Sequence, residues 1–176
     1  GEANLSATVY PPILDCLADH KPRSLADIEA AVRGNGINLA QVIQAAVILT
    51  GSGTTALAQE PAVVAKVKKR TDRLNAHLMQ RARGSGDIGY LASPVTGGAL
   101  TVTRFQQLFA AALKSGRKTP ADWADLTLQI LSAQGQKLIK DGKTLDTEAE
   151  NRAELLAQAE DFANSLLPVL RGLEVI

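Results

Sequence analysis

The chain has 176 residues, 45% apolar and 21% charged, with a formal net charge of +1; this is an ordinary globular composition, enough for one medium domain or two small ones. Aromatic residues make up only 3%, so stacking platforms for single-stranded nucleic acid are scarce, and a core must be built from Leu, Ile, Val and Ala. The near-zero charge excludes a global steering field, the single cysteine, Cys16, excludes an intrachain disulfide, and no apolar run approaches the ~20 residues that span a bilayer.

With no basic-then-apolar leader at the N-terminus, the expected compartment is cytoplasmic. The opening Gly1 reads as a residue left in front of a fragment excised from a larger parent. In chain order, the patterning predicts a strand at 5–9 and a helix at 11–19. Ser24 with Asp27 starts a helix at 24–33, and Asn38 with Gln41 starts one at 38–50. A strand at 55–59 precedes a long helix at 62–83, then strands at 88–92 and 99–103. Thr103 with Gln106 opens a helix at 104–115, and Thr119 with Asp122 opens one at 120–134, with Pro120 at the favoured first position. Strands at 137–140 and 143–146 meet at Asp141-Gly142, a strong tight-turn signal. Thr147 with Glu150 starts a closing helix at 147–171, in which Leu155, Phe162, Leu166 and Leu170 face the core and Ala159 permits close approach. Each cap pair places a side-chain acceptor three residues ahead of a second one, so two orphaned backbone donors are satisfied together. Gly34, Gly51, Gly84, Gly116 and Gly135 mark the stops. The fold class is mainly α with small β-hairpins.

An internal echo at an offset of 95 residues aligns Leu5–Tyr10 with Leu100–Phe105 and Ser24–Asp27 with Thr119–Asp122. Each half then runs strand, helices, glycine stop, hairpin, which is the winged-helix order. The expected division is a winged-helix-like unit at 1–61, a connecting helix at 62–87 and a second winged-helix-like unit at 88–176.

The 62–83 helix carries the one strong charge pattern. Val63, Val67, Leu74 and Leu78 mark its expected apolar face, and Lys66, Arg70, Arg73 and His77 line another, with Lys68, Lys69, Arg81 and Arg83 nearby. A basic face of this kind can hold phosphates, an acidic partner, or the acidic start of the closing helix, where Asp146, Glu148, Glu150, Glu154 and Glu160 gather. A solvated face is the simplest reading, ahead of nucleic-acid binding. The candidate docking surface is Lys66, Lys69, Arg70 and Arg73, joined by Lys137, Lys140 and Lys143 on the C-terminal hairpin.

Groove-reading helices carry Lys, Arg, Asn or Gln toward phosphates and bases. Neither 39–50 nor 120–134 has a Lys or Arg, and the second adds Asp122 and Asp125, so nucleic acid is disfavoured as a partner. The glycine pairs read as turns. Ser115-Gly-Arg-Lys-Thr119 ends like a nucleotide loop, but Ala111 stands where its first glycine is required. His20 and His77 fall in different elements, Cys16 and His20 lack further ligands nearby, and no nucleophile–base set is readable. Trp123, with Phe105 and Phe109, most simply anchors the second core.

Several words resemble a known family: Tyr90-Leu-Ala-Ser-Pro-Val95, Arg104-Phe-Gln-Gln-Leu-Phe109, Ala133-Gln-Gly-Gln-Lys-Leu138, Lys140-Asp-Gly-Lys143 and Leu167-Pro-Val-Leu-Arg171. In combination they look like the region following the catalytic domain in bacterial S-adenosylmethionine-dependent methyltransferases that carry a methyltransferase regulatory domain, including bacterial protein-lysine methyltransferases. The chain has no glycine-rich loop after a first strand, so it lacks the methyl-transferring core. The resemblance therefore implies a noncatalytic regulatory or substrate-docking module, with no cofactor and no catalytic residue of its own. S-adenosylmethionine would sit in the parent's catalytic domain. Its implied partners are that domain, in the same parent chain, and a protein substrate. The alternative from another class is a DNA-binding winged-helix transcription regulator.

Overall fold

A computed structural model describes residues 6–176. Leu5, which opens both the expected first strand and the internal echo, lies outside the described residues, as does Gly1; residues 7–9 form a turn that leads straight into the first helix. Helices α1 (Tyr10–Leu17), α2 (Leu25–Val32) and α3 (Leu39–Gly51) form the N-terminal part, and α4 (Pro61–Arg81) follows. Strands β1 (Tyr90–Ala92) and β2 (Ala99–Thr101) precede α5 (Arg104–Lys114) and α6 (Pro120–Ala133). Strands β3 (Ile139–Lys140) and β4 (Lys143–Thr144) lead to α7 (Glu148–Asp161), a π turn (Phe162–Leu166) and α8 (Leu167–Gly172). The molecule is thus mainly helical, with two small antiparallel two-stranded sheets.

Helix starts follow the cap pairs. At Ser24, Asn38, Thr119 and Thr147 the side chain accepts the N–H of the residue three on, and that residue's carboxylate or amide accepts in return. At Thr103 the return bond runs from its N–H to Gln106 Oε1, 2.9 Å. A cap of this kind contributes about 1 kcal/mol. The stops come later than expected in the first half. Gly34 lies inside a 3-10 turn (Arg33–Asn35) and Gly51 still belongs to α3, whereas the left-handed residues are Gly36 and Gly53. Asp141 and Gly142 both have positive φ, 50° and 77°, the geometry that a two-residue hairpin with right-handed strand twist requires.

Among the described residues, 7–9 are turn and not strand, and 55–59 pair with no strand. Among the described residues the first half therefore has no hairpin. Gln59 N–H instead donates to Val95 O, 2.7 Å, so this stretch is tethered to the β1–β2 turn by one bond. Ala-rich chain with a single tether lacks the cross-strand side-chain pairs that stabilise a ladder. The second half keeps the order helix, helix, hairpin, although its hairpins β1–β2 and β3–β4 stay in separate sheets.

The apolar residues gather into two main cores. Tyr10, Ile13, Ile28, Val32, Ile37, Val42, Ala45 and Leu49 form the first. The second is larger and centres on Leu91, Phe109, Trp123, Leu155, Phe162 and Leu170. Phe162 lies 5.9 Å from Phe109 and 5.8 Å from Trp123 in centroid distance, the latter edge-on, an arrangement that adds to simple burial. Trp123 Nε1–H donates to Arg117 O at 2.9 Å, satisfying its polar edge.

The closing helix is not continuous. Pro168 has no N–H to give to the carbonyl four residues back, and its ring would crowd that turn. The backbone widens into the π turn, where Leu167 N–H reaches Phe162 O. One extra residue per turn shifts the phase, so the core position after Phe162 is Leu167, with Leu166 only partly buried.

Three buried amides fasten irregular chain to helices. Asn75 Oδ1 accepts Ala92 N–H at 2.8 Å, and its Nδ2 donates to Ala92 O at 2.8 Å and Val175 O at 3.2 Å, so one α4 side chain pairs with β1 and holds the C-terminus. Gln107 Nε2 donates to Ile88 O, 2.6 Å, and Val102 O, 2.8 Å. Asn151 Oδ1 accepts Leu138 N–H at 2.7 Å while Nδ2 donates to Leu145 O and Thr147 O, clamping both legs of the β3–β4 hairpin onto α7. Helix α4 consequently belongs to the second core, with Asn75 and Met79 buried there, and is not a free connector.

Candidate docking surface

Asn75 fixes how α4 is turned. Its buried side carries Val64, Val67, Thr71, Asn75, Leu78, Met79 and Ala82, at least partly covered along their length, while Val63 and Leu74 are 42% and 49% exposed. The expected apolar face of Val63, Val67, Leu74 and Leu78 is corrected accordingly: half of it faces water. At 100° per residue, Lys66, Arg70, Arg73 and His77 fall within about 60° of one another and opposite the buried side. All four are exposed, as is Lys69. The row from residue 66 to 77 is roughly 16 Å long at 1.5 Å per residue.

Among the described residues none of Lys66, Lys69, Arg70 and Arg73 makes an ion pair or a side-chain hydrogen bond. Their neighbours do. Lys68 bonds Asp72, one turn on, and Arg81 Nη2 bonds Asp87 at 2.8 Å. The helix therefore pairs Lys68 and Arg81 locally and leaves the central row without an ion pair among the described residues.

The hairpin cations behave differently. Lys137 Nζ pairs with Asp146 at 3.2 Å and Lys140 Nζ with Glu154 at 2.6 Å. Gln158 and then Lys140 hold the Glu154 carboxylate below its usual range, and Glu154 raises the Lys140 ammonium in turn. Lys143 is exposed and makes no ion pair among the described residues. The acidic start of α7 is thus the counterpart of the hairpin and not of α4. The seven candidate residues do not form one surface in equal standing: four on α4 are free, and two of the three on the hairpin are engaged.

Arg104, quoted above as part of a family word, proves structural. Its guanidinium donates to Ala82 O (2.9 Å), Arg83 O (3.1 Å), Gln134 Oε1 (3.1 Å) and Gln136 Oε1 (2.8 Å). A cation on the last carbonyls of a helix satisfies orphaned acceptors and meets the negative end of the helix dipole. Sequence reasoning missed this cap and the three amides. Asn75 and Asn151 carried a readable signal, because each occupies the apolar phase of its helix; Arg104 carried none.

Cys16 and His20 do not share a helix face, since α1 ends at Leu17 and His20 adopts a left-handed φ of 58°. Among the described residues no three His, Cys, Asp or Glu side chains converge on a metal-sized site, and no helix is long and apolar enough to cross a membrane.

The chain is similar to an uncharacterized protein, sll1526, of Synechocystis sp. (strain ATCC 27184 / PCC 6803 / Kazusa). The two are 36% identical over 175 residues, which is 99% of this chain and 34% of that relative. The chain thus spans about a third of the length of the curated relative it matches. No protein-family model and no solved structure matches it.

Proposed function

We propose that this chain is a noncatalytic regulatory or substrate-docking module of a cytoplasmic S-adenosylmethionine-dependent methyltransferase, in which α4 presents a row of cations to an acidic protein surface. The observation that carries the docking role is the exposed, unpaired set Lys66, Lys69, Arg70 and Arg73, opposite the side of α4 that Asn75 anchors. The methyltransferase assignment rests on the family-like words of the second half alone; the similarity over the whole chain to one third of a longer protein suits a module within a larger parent. Within the module, α5, α6 and the β3–β4 hairpin follow a winged-helix-like order. The words Arg104–Phe109, Ala133–Leu138 and Leu167–Arg171 supply a helix cap, a hairpin anchor and core leucines, which suits an accessory unit in which these words serve packing.

In this reading the methyl donor binds in the catalytic domain, and the acceptor lysine or other nucleophile belongs to the protein substrate. The module contributes binding energy by placing fixed cations where a flexible acidic segment can approach; such charges raise the association rate more than the final affinity. Calorimetry with S-adenosylmethionine is expected to give no heat of binding, and micromolar binding would overturn the noncatalytic reading. Helix α6, which precedes the hairpin, has no cation and presents Asp122 and Asp125, which disfavours groove reading of DNA. A salt-dependent shift of duplex DNA, abolished by Lys66→Glu with Arg70→Glu and Arg73→Glu, would replace docking with the DNA-binding alternative.

A further inference from the structure

Between the two cores lies an apolar cleft of about 440 Å³, within the size range of small-ligand sites. Leu14 and Leu17 of α1 form one wall, Val95 and Leu100 of the first hairpin and Val169 and Leu173 at the C-terminal end form the other, and residues 53–58 run along the rim.

Two close contacts involve the lining residues His20 and Val95. In the first, a Cβ on Gly172 would overlap the backbone carbonyl of His20, so only glycine permits this approach, and His20 itself is held at a left-handed φ of 58°. In the second, Gln59 N–H bonds Val95 O at 2.7 Å, and the Gln59 side chain lies over Gly97. A space bordered by two such contacts is a preformed feature of the fold.

Its side chains carry one formal charge, beside the hydroxyls of Thr54, Thr55 and Thr96. Lys21 is the only charged residue in the lining, which contains no carboxylate. The nearest acid in sequence, Asp19, is committed to Arg23 through two bonds of 2.6 and 2.9 Å, leaving the Lys21 ammonium unpaired among the described residues. On the rim, neither the N–H nor the C=O groups of Ala56, Leu57 and Ala58 make a hydrogen bond to any described residue, so the N–H groups are available to a carboxylate. The cleft thus offers aliphatic walls, one cation and a short run of backbone donors.

We infer that this cleft is a binding site for a small amphiphile with an aliphatic body and a carboxylate head, the body lying between α1 and the C-terminal end and the head meeting Lys21 and the 56–58 amides. A ligand there contacts both cores at once and biases how they sit together, which gives a regulatory module an input separate from the α4 row. The inference stands independently of the docking proposal.

Titration of the 15N-labelled chain with decanoate, followed by amide chemical shifts, tests it. The expected result is saturable binding that moves Leu17, Lys21, Ala56, Leu57, Thr96 and Leu173. Decyltrimethylammonium, with the same tail and the opposite head, is expected to bind about tenfold more weakly, the factor that 1.4 kcal/mol represents. Lys21→Glu, at an exposed position that leaves the cores intact, is expected to remove that preference, and Val169→Trp, which fills the cleft, to abolish binding of both. Absence of saturable binding overturns the inference. So do shifts confined to the exposed apolar stripe Leu39, Ile43 and Val47 of α3, or equal binding of the two head groups.

Discussion

Helix α4 and the β3–β4 hairpin carry similar cations on exposed positions, yet they use them in opposite ways. Lys137 and Lys140 are bonded to Asp146 and Glu154 of their own unit, so their charges are largely neutralised within the fold. Lys66, Lys69, Arg70 and Arg73 have no such partner among the described residues, although Lys68 and Arg81 on the same helix do. Charge content alone would rank the two regions together; the positions of the carboxylates separate them. The difference also has a mechanical side. Asn75 and Asn151 anchor α4 and the hairpin by equivalent three-bond clamps, so both basic elements are held rigidly and only the pairing of their cations differs.

The largest expected effects come from cutting those clamps. Asn75→Leu leaves Ala92 N–H, Ala92 O and Val175 O without a partner, and each buried unpaired group costs about 1–3 kcal/mol. Urea unfolding should therefore show a loss of about 3 kcal/mol or more, and Asn151→Leu should show a similar loss. A near-neutral result for either variant would mean that the backbone groups find water or other partners.

Gly172→Ala comes next. The added methyl meets backbone and not a flexible side-chain end, so the two cores must shift apart, at a cost of about 1–3 kcal/mol. Amide exchange in α1 should rise more than in α5 if the junction is what steadies the N-terminal part. Equal increases in both would place the two cores in one cooperative unit.

Acid sensitivity sharpens the same picture with smaller changes. Hydrogen bonds from Ser24, Thr119 and Thr147 and their backbones hold Asp27, Asp122 and Glu150 below the usual carboxylate range. A depressed folded-state pKa stabilises the protein above the unfolded value, near 4, and that contribution disappears as pH falls through the folded value. Stability should thus decline as pH drops below about 5. Glu150→Gln keeps a capping geometry that Gln41 already uses at Asn38, without a titrating group, and should flatten the slope between about pH 5 and 3. An unchanged slope would remove this cap from the acid response.

Helix positions were legible because their signals are local. Cap pairs, glycine stops and the Asp141-Gly142 turn act within a few residues, and the first six expected helices formed with their ends displaced by at most two residues, while the closing one is interrupted by the π turn. The strand at 55–59 was not legible as unpaired chain, since a strand exists only with a partner that local patterning does not specify. The face of α4 was misjudged because Val63 and Leu74 counted as apolar, whereas a polar Asn75 decides the orientation through bonds to residues 92 and 175. Leu166 yielded its core place to Leu167 for a similar reason: Pro168 adds a residue to the turn, and a uniform 3.6-residue period does not anticipate that. Of the docking residues, their clustering on one helix face could be read from spacing. Which cations remain free could not, because Lys140 and Glu154 lie 14 residues apart and meet only through the hairpin.

The central claim is that the free row on α4, and not the hairpin, receives an acidic partner. Fluorescence anisotropy with a labelled glutamate-rich peptide tests it most directly, using wild type, a Lys66→Glu, Arg70→Glu, Arg73→Glu variant and a Lys137→Glu, Lys140→Glu variant. Exposed charges are screened as ionic strength rises, so wild-type binding should weaken with salt. The account predicts that the α4 variant loses binding while keeping its unfolding midpoint, and that the hairpin variant still binds. Retained binding in the α4 variant, or loss only in the hairpin variant, would contradict it.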